Sequence, residues 1–331
     1  MTKKFRILSL DGGGLRGIVP VMVLEHIEKV TGKKIIDLFD LIAGTSTGGL
    51  ITTALTVSDD MKSPKFSLQD IKDIYIKRGH EIFPHKNYLG RFWSGFNSLI
   101  NPEYSAHGLS NVLNELLGEK RITDCLKPIF VTAYDLHNND PLFFKTRYLD
   151  ESPGTNARLY DICRATSAGP TYLPAHSFFH DGKQVTCIDG GVFMNNPSLG
   201  ALVEATRYSE YYDRKDLALK DIHVLSLGTG NFQGAISQKQ ALGWGKMQWI
   251  RPLIDIMMYG VNQATSYQAN ELLNKANYMR IPLVIGDKKY TDMADSRPQT
   301  RNYLMREVEN QLFRNKALMD KLDEFLKNME S

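Results

Sequence analysis

A serine hydroxyl attacks a carbonyl only when a base takes its proton and the backbone holds it clear of its neighbours. Ser46 stands in such a setting, Gly44-Thr45-Ser46-Thr47-Gly48-Gly49. The small residues two before and two after the serine suit a nucleophile elbow. There a strand turns sharply into a helix, the two approach closely, and the helix N-terminus faces the reacting centre. A polar loop without chemistry has the same composition. The apolar run Phe39–Ala43 before the serine and the helical pattern through about Val57 after it favour the elbow.

A second candidate is Asp11-Gly12-Gly13-Gly14-Leu15-Arg16-Gly17, again between a strand pattern and a helix pattern. Consecutive glycines let backbone N–H groups converge on an anion or a developing oxyanion, and Arg16 could add positive charge there. Gly12, Gly14 and Gly17 also satisfy G-x-G-x-x-G, so a nucleotide-binding oxidoreductase is a rival reading. That fingerprint wants an acidic residue at the end of the next strand. Asp37 has the separation but precedes its strand, whose end is the Ser46 turn. The third candidate is Asp189-Gly190-Gly191, closing the run Val185–Ile188. Alone, Asp-Gly is a turn dipeptide. Together, all three motifs fall at carboxyl ends of strands, where open α/β sheets build their sites.

The elements that must position these residues alternate between short apolar runs and helical patterns, as a mainly parallel sheet covered by helices requires. Strands are expected at Phe5–Leu10, Phe39–Ala43, Ile129–Tyr134, Leu142–Thr146, Val185–Ile188 and His223–Leu227. Helices are expected at Ile18–Val30, with Pro20 in its first turn and Gly32 near its end, and at Arg158–Ala168. Asn196 caps a further helix with Pro197 in its first turn. Met247, Ile250, Leu253, Ile254, Met257, Met258 and Val261 recur at helical spacing, and Arg301 to Met329 reads as one terminal helix. Tyr88 to Phe96 is rich in aromatics. This stretch and the Met257 helix could touch lipid, although such spacing more often marks core.

The eight histidines follow no metal-ligand spacing. His223 comes after Ser46 and Asp189, the order of an α/β-hydrolase triad, but it opens its strand and so reads as structural. Cys125, Cys163 and Cys187 are odd in number and widely spaced, which fits reduced thiols. A net charge of +3 over 331 residues gives no reason to expect a nucleic-acid partner. Lys3, Lys4 and Arg6 precede an apolar run that Asp11 and Arg16 interrupt, so the N-terminus reads as a strand and not as a cleaved leader. No apolar stretch is long enough to span a bilayer, so membrane contact is expected to be peripheral.

The set resembles the patatin-like phospholipases. DGGGLRG is similar to their oxyanion motif, GTSTGG to their elbow, and Asp189-Gly190-Gly191 to their catalytic aspartate motif. Arg164 to Pro174 (RATSAGPTYLP), Asn195-Asn196 and Leu225 to Gly230 (LSLGTG) are further echoes. The likeness covers residues 1–230 as a catalytic core. Residues 231–331 carry no such motif and are expected to pack on the same domain as a helical part. The resemblance implies a three-layer α/β/α fold and a Ser–Asp dyad working without histidine, calcium or cofactor. Carried over, Ser46 attacks the ester and Asp189 takes its proton. The N–H groups of Gly12, Gly13 and Gly14 hold the oxyanion with support from Arg16, while Gly44 and Gly48 shape the elbow. It also implies a phospholipid substrate at a membrane surface. The lack of a secretion signal sets the chain apart from the secreted plant storage members and leads to the expectation of a cytoplasmic, bacterial setting. Some bacterial relatives are membrane-degrading effectors switched on by cyclic nucleotides. A carboxylate of ordinary pKa, about 3.9, is a weak base for this work, so its surroundings must raise it. A non-catalytic lipid-binding module would have no need of the whole set.

Overall fold

The computed structural model describes residues 4–84, 102–215, 217–232, 234 and 236–331; the aromatic stretch Tyr88 to Phe96 lies outside them. The strands are β1 (Phe5–Leu10), β2 (Leu41–Thr45), β3 (Ile129–Asp135), β4 (Asp140–Lys145), β5 (His176–His180), β6 (Lys183–Asp189), β7 (Ile222–Leu227), β8 (Asn231–Phe232), β9 (Tyr278–Ile281) and β10 (Val284–Ile285). The helices that matter for the site are α1 (Ile18–Thr31), α2 (Thr47–Thr56), α3 (His107–Leu117), α4 (Leu159–Thr166), α5 (Ser198–Arg207), α6 (Lys246–Leu272), α7 (Pro298–Val308) and α8 (Lys316–Glu330).

Alternate residues of β1 bury on opposite faces. Leu8 and Leu10 pack with Leu24 and Ile27 of α1 and Leu304 of α7, whereas Phe5 and Ile7 pack with Ala201 and Leu202 of α5 and Ala269 of α6. A strand covered on both faces is the centre of a three-layer α/β/α sandwich. The sheet runs β5-β6-β3-β2-β1-β7-β9, with β4 paired to β3. Its middle is parallel, β3-β2-β1-β7-β9, and its β3 side is antiparallel.

Two features of register build the site. Leu10 is level with Gly44 on one side and with Leu227 on the other, so the chain leaves β1, β2 and β7 at one height. Beside them, β4 occupies one edge of β3, and β2 and β6 share the other edge from opposite directions. β2 runs parallel up to Thr45↔Thr132, and β6 arrives antiparallel, ending at Asp189↔Ala133. Their carboxyl ends meet head-on. Asp189 therefore reaches the site from an antiparallel strand, not from the shared edge of a parallel set.

β2 begins and ends two residues later than its apolar run suggests. Asp40 is held to Arg6, through its backbone and through a two-bond ion pair, so the ladder starts at Leu41. It continues through Gly44 and Thr45 because β3 pairs them, whatever their turn-like composition. α1 ends as expected at Gly32, whose left-handed φ of 67° lets its N–H close on Glu28. Asn196 accepts the N–H of Ser198 at 3.0 Å, so α5 starts one residue after Pro197. The expected single terminal helix is broken: α7 passes into a wide turn at Glu309–Phe313, and Asn315 caps α8 by accepting Leu318 N–H. Residues 231–331 are not helical throughout. They supply β8, β9 and β10, and β9 extends the central sheet beside β7.

Candidate active site

Ser46 occupies the turn between β2 and α2 with φ 54° and ψ −125°, a backbone rarely taken by a residue with a side chain. Holding it there costs on the order of 1–3 kcal/mol, which surrounding contacts must offset. Thr166 supplies one, its hydroxyl accepting the Ser46 N–H at 2.8 Å. Thr45 supplies another, donating to the Met194 carbonyl at 2.7 Å. The elbow's glycines are sterically required. A Cβ on Gly48 would lie 2.1 Å from the Leu10 carbonyl oxygen, and one on Gly44 would lie 2.2 Å from that of Gly48. Strand and helix could not otherwise come this close.

Asp189, at the end of β6, borders the same cavity as Ser46 and accepts the Gly191 N–H at 2.7 Å. Both residues are only 8% exposed. Burial pushes the Asp189 carboxyl up to about 6, although the nearby Ser46 hydroxyl and the Gly191 N–H pull the other way. The carboxylate is thus a better base than an exposed aspartate, and at neutral pH it is still ionised.

The glycine-rich segment leaves β1 beside this pair, anchored at its root by an ion pair. Arg280 of β9 donates two bonds to the Asp11 carboxylate, one of them at 2.8 Å, and a third to Ser226 at 2.7 Å. The three expected oxyanion donors are not equivalent. Gly12 gives its N–H to the Asn195 carbonyl at 3.1 Å. Gly13 and Gly14 have no such acceptor among the described residues, and both border one cavity with Ser46 and Asp189. Arg16 lies apart from that cavity. Its Nε donates to the Gly13 carbonyl at 3.4 Å, and its side chain borders a separate cleft with Asp292 and Asp295.

Ser46 is the meeting point of two largely apolar cavities. One runs between α2, α3 and α4 past Ile51, Leu113, Leu117 and Cys163. The other opens beneath α6, past Tyr172, Val192, Ile254, Met257 and Met258. Ser167 borders both, and its buried hydroxyl has no partner among the described residues. A long acyl chain on one side of the serine and the rest of an ester on the other fit this shape.

The chain matches the family model described as "Patatin-like phospholipase" over residues 8–202. It belongs to that family. Among its patatin relatives, "Patatin-like protein 2" of Arabidopsis thaliana is 33% identical over 318 residues, covering 87% of this chain and 78% of that protein. "Patatin-like protein 1" of Oryza sativa subsp. indica is 34% identical over 308 residues, covering 84% and 74%. A Solanum tuberosum patatin named "Probable inactive patatin-3-Kuras 1" is 33% identical over 298 residues, covering 83% and 77%. Family membership supports lipid acyl hydrolysis.

Within the patatin fold the rival readings lose ground. The Leu15 N–H that a pyrophosphate would need is donated to the Met293 carbonyl at 2.8 Å, and Asp37 lies in the short helix Ile35–Leu38, away from the end of β2. His223 pairs with Arg6 at the amino end of β1, opposite the site. Burial lowers its pKa to about 4, and its ring packs 6.0 Å from Phe325. Among the described residues no histidine borders either cavity, and no group of three His, Cys, Asp or Glu is placed to hold a metal. The three cysteines are free and buried. Sequence reading missed Thr166 and Arg280. Thr166 lies inside the RATSAGPTYLP stretch, so a signal was present; Arg280 lies in a segment with no motif.

Proposed function

We propose that this protein is a serine lipid acyl hydrolase that cleaves fatty-acyl esters of membrane phospholipids through Ser46 and Asp189. The observation that carries the reading is the juxtaposition of a strained, buried serine and a buried carboxylate raised to about 6, on one wall of a cavity that meets a second apolar cavity at the serine.

As the Ser46 Oγ–carbonyl carbon bond forms, Asp189 takes the hydroxyl proton, and the negative charge moves to the carbonyl oxygen. The N–H groups of Gly13 and Gly14 hold that oxyanion. The ester C–O bond breaks, and the lysolipid alkoxide leaves with the proton from Asp189. Water then attacks the acyl-Ser46 ester, giving its proton to Asp189; as the acyl C–Oγ bond breaks, Asp189 returns that proton to Ser46 Oγ and the fatty acid leaves. No metal or organic cofactor enters these steps.

The protein docks peripherally on the membrane, from the cytoplasm, with α6 towards the lipid. Leu253, Ile256, Met257 and Tyr259 of α6 are all more than 40% exposed beside the second cavity. Among the described residues no helix is long and apolar enough to cross a membrane. Two measurements test the reading. A fluorophosphonate probe must label the wild type and spare Ser46→Ala; equal labelling refutes the serine mechanism. Mass spectrometry of a phospholipid extract must show free fatty acid and lysolipid in step. Run with and without cyclic nucleotides, the same assay decides whether the enzyme is a signal-activated, membrane-degrading effector.

A further inference from the structure

We infer that Thr229 is a positioning residue whose hydroxyl sets the direction of the Gly13 N–H, and hence the oxyanion site; this rests on the hydrolase reading above. Thr229 follows β7, level with the ends of β1 and β2, and is 4% exposed. Its Oγ1 donates to the Gly12 carbonyl at 2.7 Å, and Asn195 Nδ2 approaches the same oxygen at 3.5 Å.

That carbonyl belongs to the peptide unit whose other end is the Gly13 N–H. A peptide is planar, and no cis bond occurs among the described residues, so the C=O and N–H point in opposite directions. Fixing the carbonyl therefore fixes the N–H. The next unit is fixed in the same way, because the Gly13 carbonyl accepts Arg16 N–H at 3.2 Å and Arg16 Nε at 3.4 Å, which orients the Gly14 N–H. Two successive carbonyls are thus held, and the N–H groups at the other ends of their peptides belong to Gly13 and Gly14, which border the Ser46 cavity. Catalysis by oxyanion stabilisation depends on donors aimed before the charge develops.

The glycines around this contact are explained by it. A Cβ on Gly13 would lie 2.1 Å from Thr229 Oγ1, so the hydroxyl could not reach the turn past any side chain. A Cβ on Gly228 would lie 3.0 Å from Arg280 Nη2, on the path by which that guanidinium reaches Asp11. The LSLGTG segment thus serves the same turn twice. Thr229 holds its carbonyl, and Gly228 clears the way for the cation at its root.

The test compares Thr229→Val, which keeps the shape and removes the donor, with Thr229→Ser, which keeps the donor and removes a methyl. On a soluble ester, Thr229→Val should lose about tenfold to a hundredfold in kcat with KM within twofold, and Thr229→Ser should stay within about threefold of wild type. The reverse ranking, Val near wild type and Ser impaired, would mean that Thr229 only packs, and would overturn the inference. If Thr229→Val does not fold, Thr229→Ala against Thr229→Ser isolates the same hydroxyl, and equal rates overturn it. Ser46→Ala is run alongside. If its turnover equals wild type, the hydrolase reading fails, and the inference is then judged from crystal structures alone. Thr229→Val must show the Gly12–Gly13 peptide rotated from its wild-type orientation, and an unmoved peptide overturns it.

Discussion

The matched segment, residues 8–202, and the hundred or so residues after β7 divide the work of this site differently. The first carries the groups that can react or hold charge: Ser46, Asp189 and the glycine-rich turn. The second carries what keeps them in place. Arg280 neutralises Asp11 across 269 residues of sequence, the Met293 carbonyl takes the Leu15 N–H, β9 extends the sheet, and α6 roofs the second cavity. Reactive groups are narrowly constrained in type and spacing, so they make motifs. Supports are constrained by where they arrive in space, and many local sequences can deliver them.

The sharpest way to break this division is to strike the first region. Ser46→Ala, Asp189→Asn and the double variant should each lose activity on the order of a millionfold, non-additively, while circular dichroism stays unchanged. Substantial turnover in a folded Asp189→Asn protein would remove Asp189 from the chemistry. Striking the second region should instead show first in stability. Arg280→Met leaves the buried Asp11 carboxylate without its partner and should cost about 3–5 kcal/mol in urea unfolding. Pairing it with Asp11→Asn should recover part of that loss. Additive losses in the double variant would mean that the two side chains are not coupled.

Asp189 should also reveal a conflict between stability and function. Its folded pKa of about 6 lies above the ordinary 3.8, so the folded protein prefers the protonated carboxyl. The stability it contributes is full below about pH 4 and is lost as pH rises through 6, on the order of 3 kcal/mol. Catalysis needs the opposite form. Turnover should therefore rise with pH through about 6, while the melting temperature of Asp189→Asn gains on the wild type over the same window. A flat difference between the two melting curves from pH 4 to 7 would contradict the assigned burial. Weaker still, Met257→Ser with Met258→Ser should lower hydrolysis of vesicles severalfold more than hydrolysis of a short soluble ester; equal losses would make α6 a cavity wall only. The smallest effect belongs to the far end of the sheet. His223→Ala should keep turnover within about tenfold, ~1.4 kcal/mol of barrier, and excess chelator should match added calcium. Loss of activity in folded His223→Ala would place a reacting group where this structure has none.

Much of this is legible in the chain itself. The alternation of buried strands and helices, the strand–turn–helix setting of Ser46 and the Asp-Gly-Gly turn follow from residue types and periods, because backbone geometry restricts which residues can occupy those places. What the chain alone left undecided is long-range. It could not show that β6 runs antiparallel and meets β2 end to end on β3, which is what brings Asp189 to Ser46. Nor could it show that Gly12 gives its N–H to Asn195, that Arg280 closes on Asp11, or that the terminal helix breaks at Asn315. Periodicity reports which face of an element is apolar, but not which partner that face meets or in which direction the partner runs. Hydrogen-bond direction and carboxylate burial arise only when distant segments are packed together, and in this protein they set the surroundings of Asp189 and hold the Gly12 and Gly13 carbonyls.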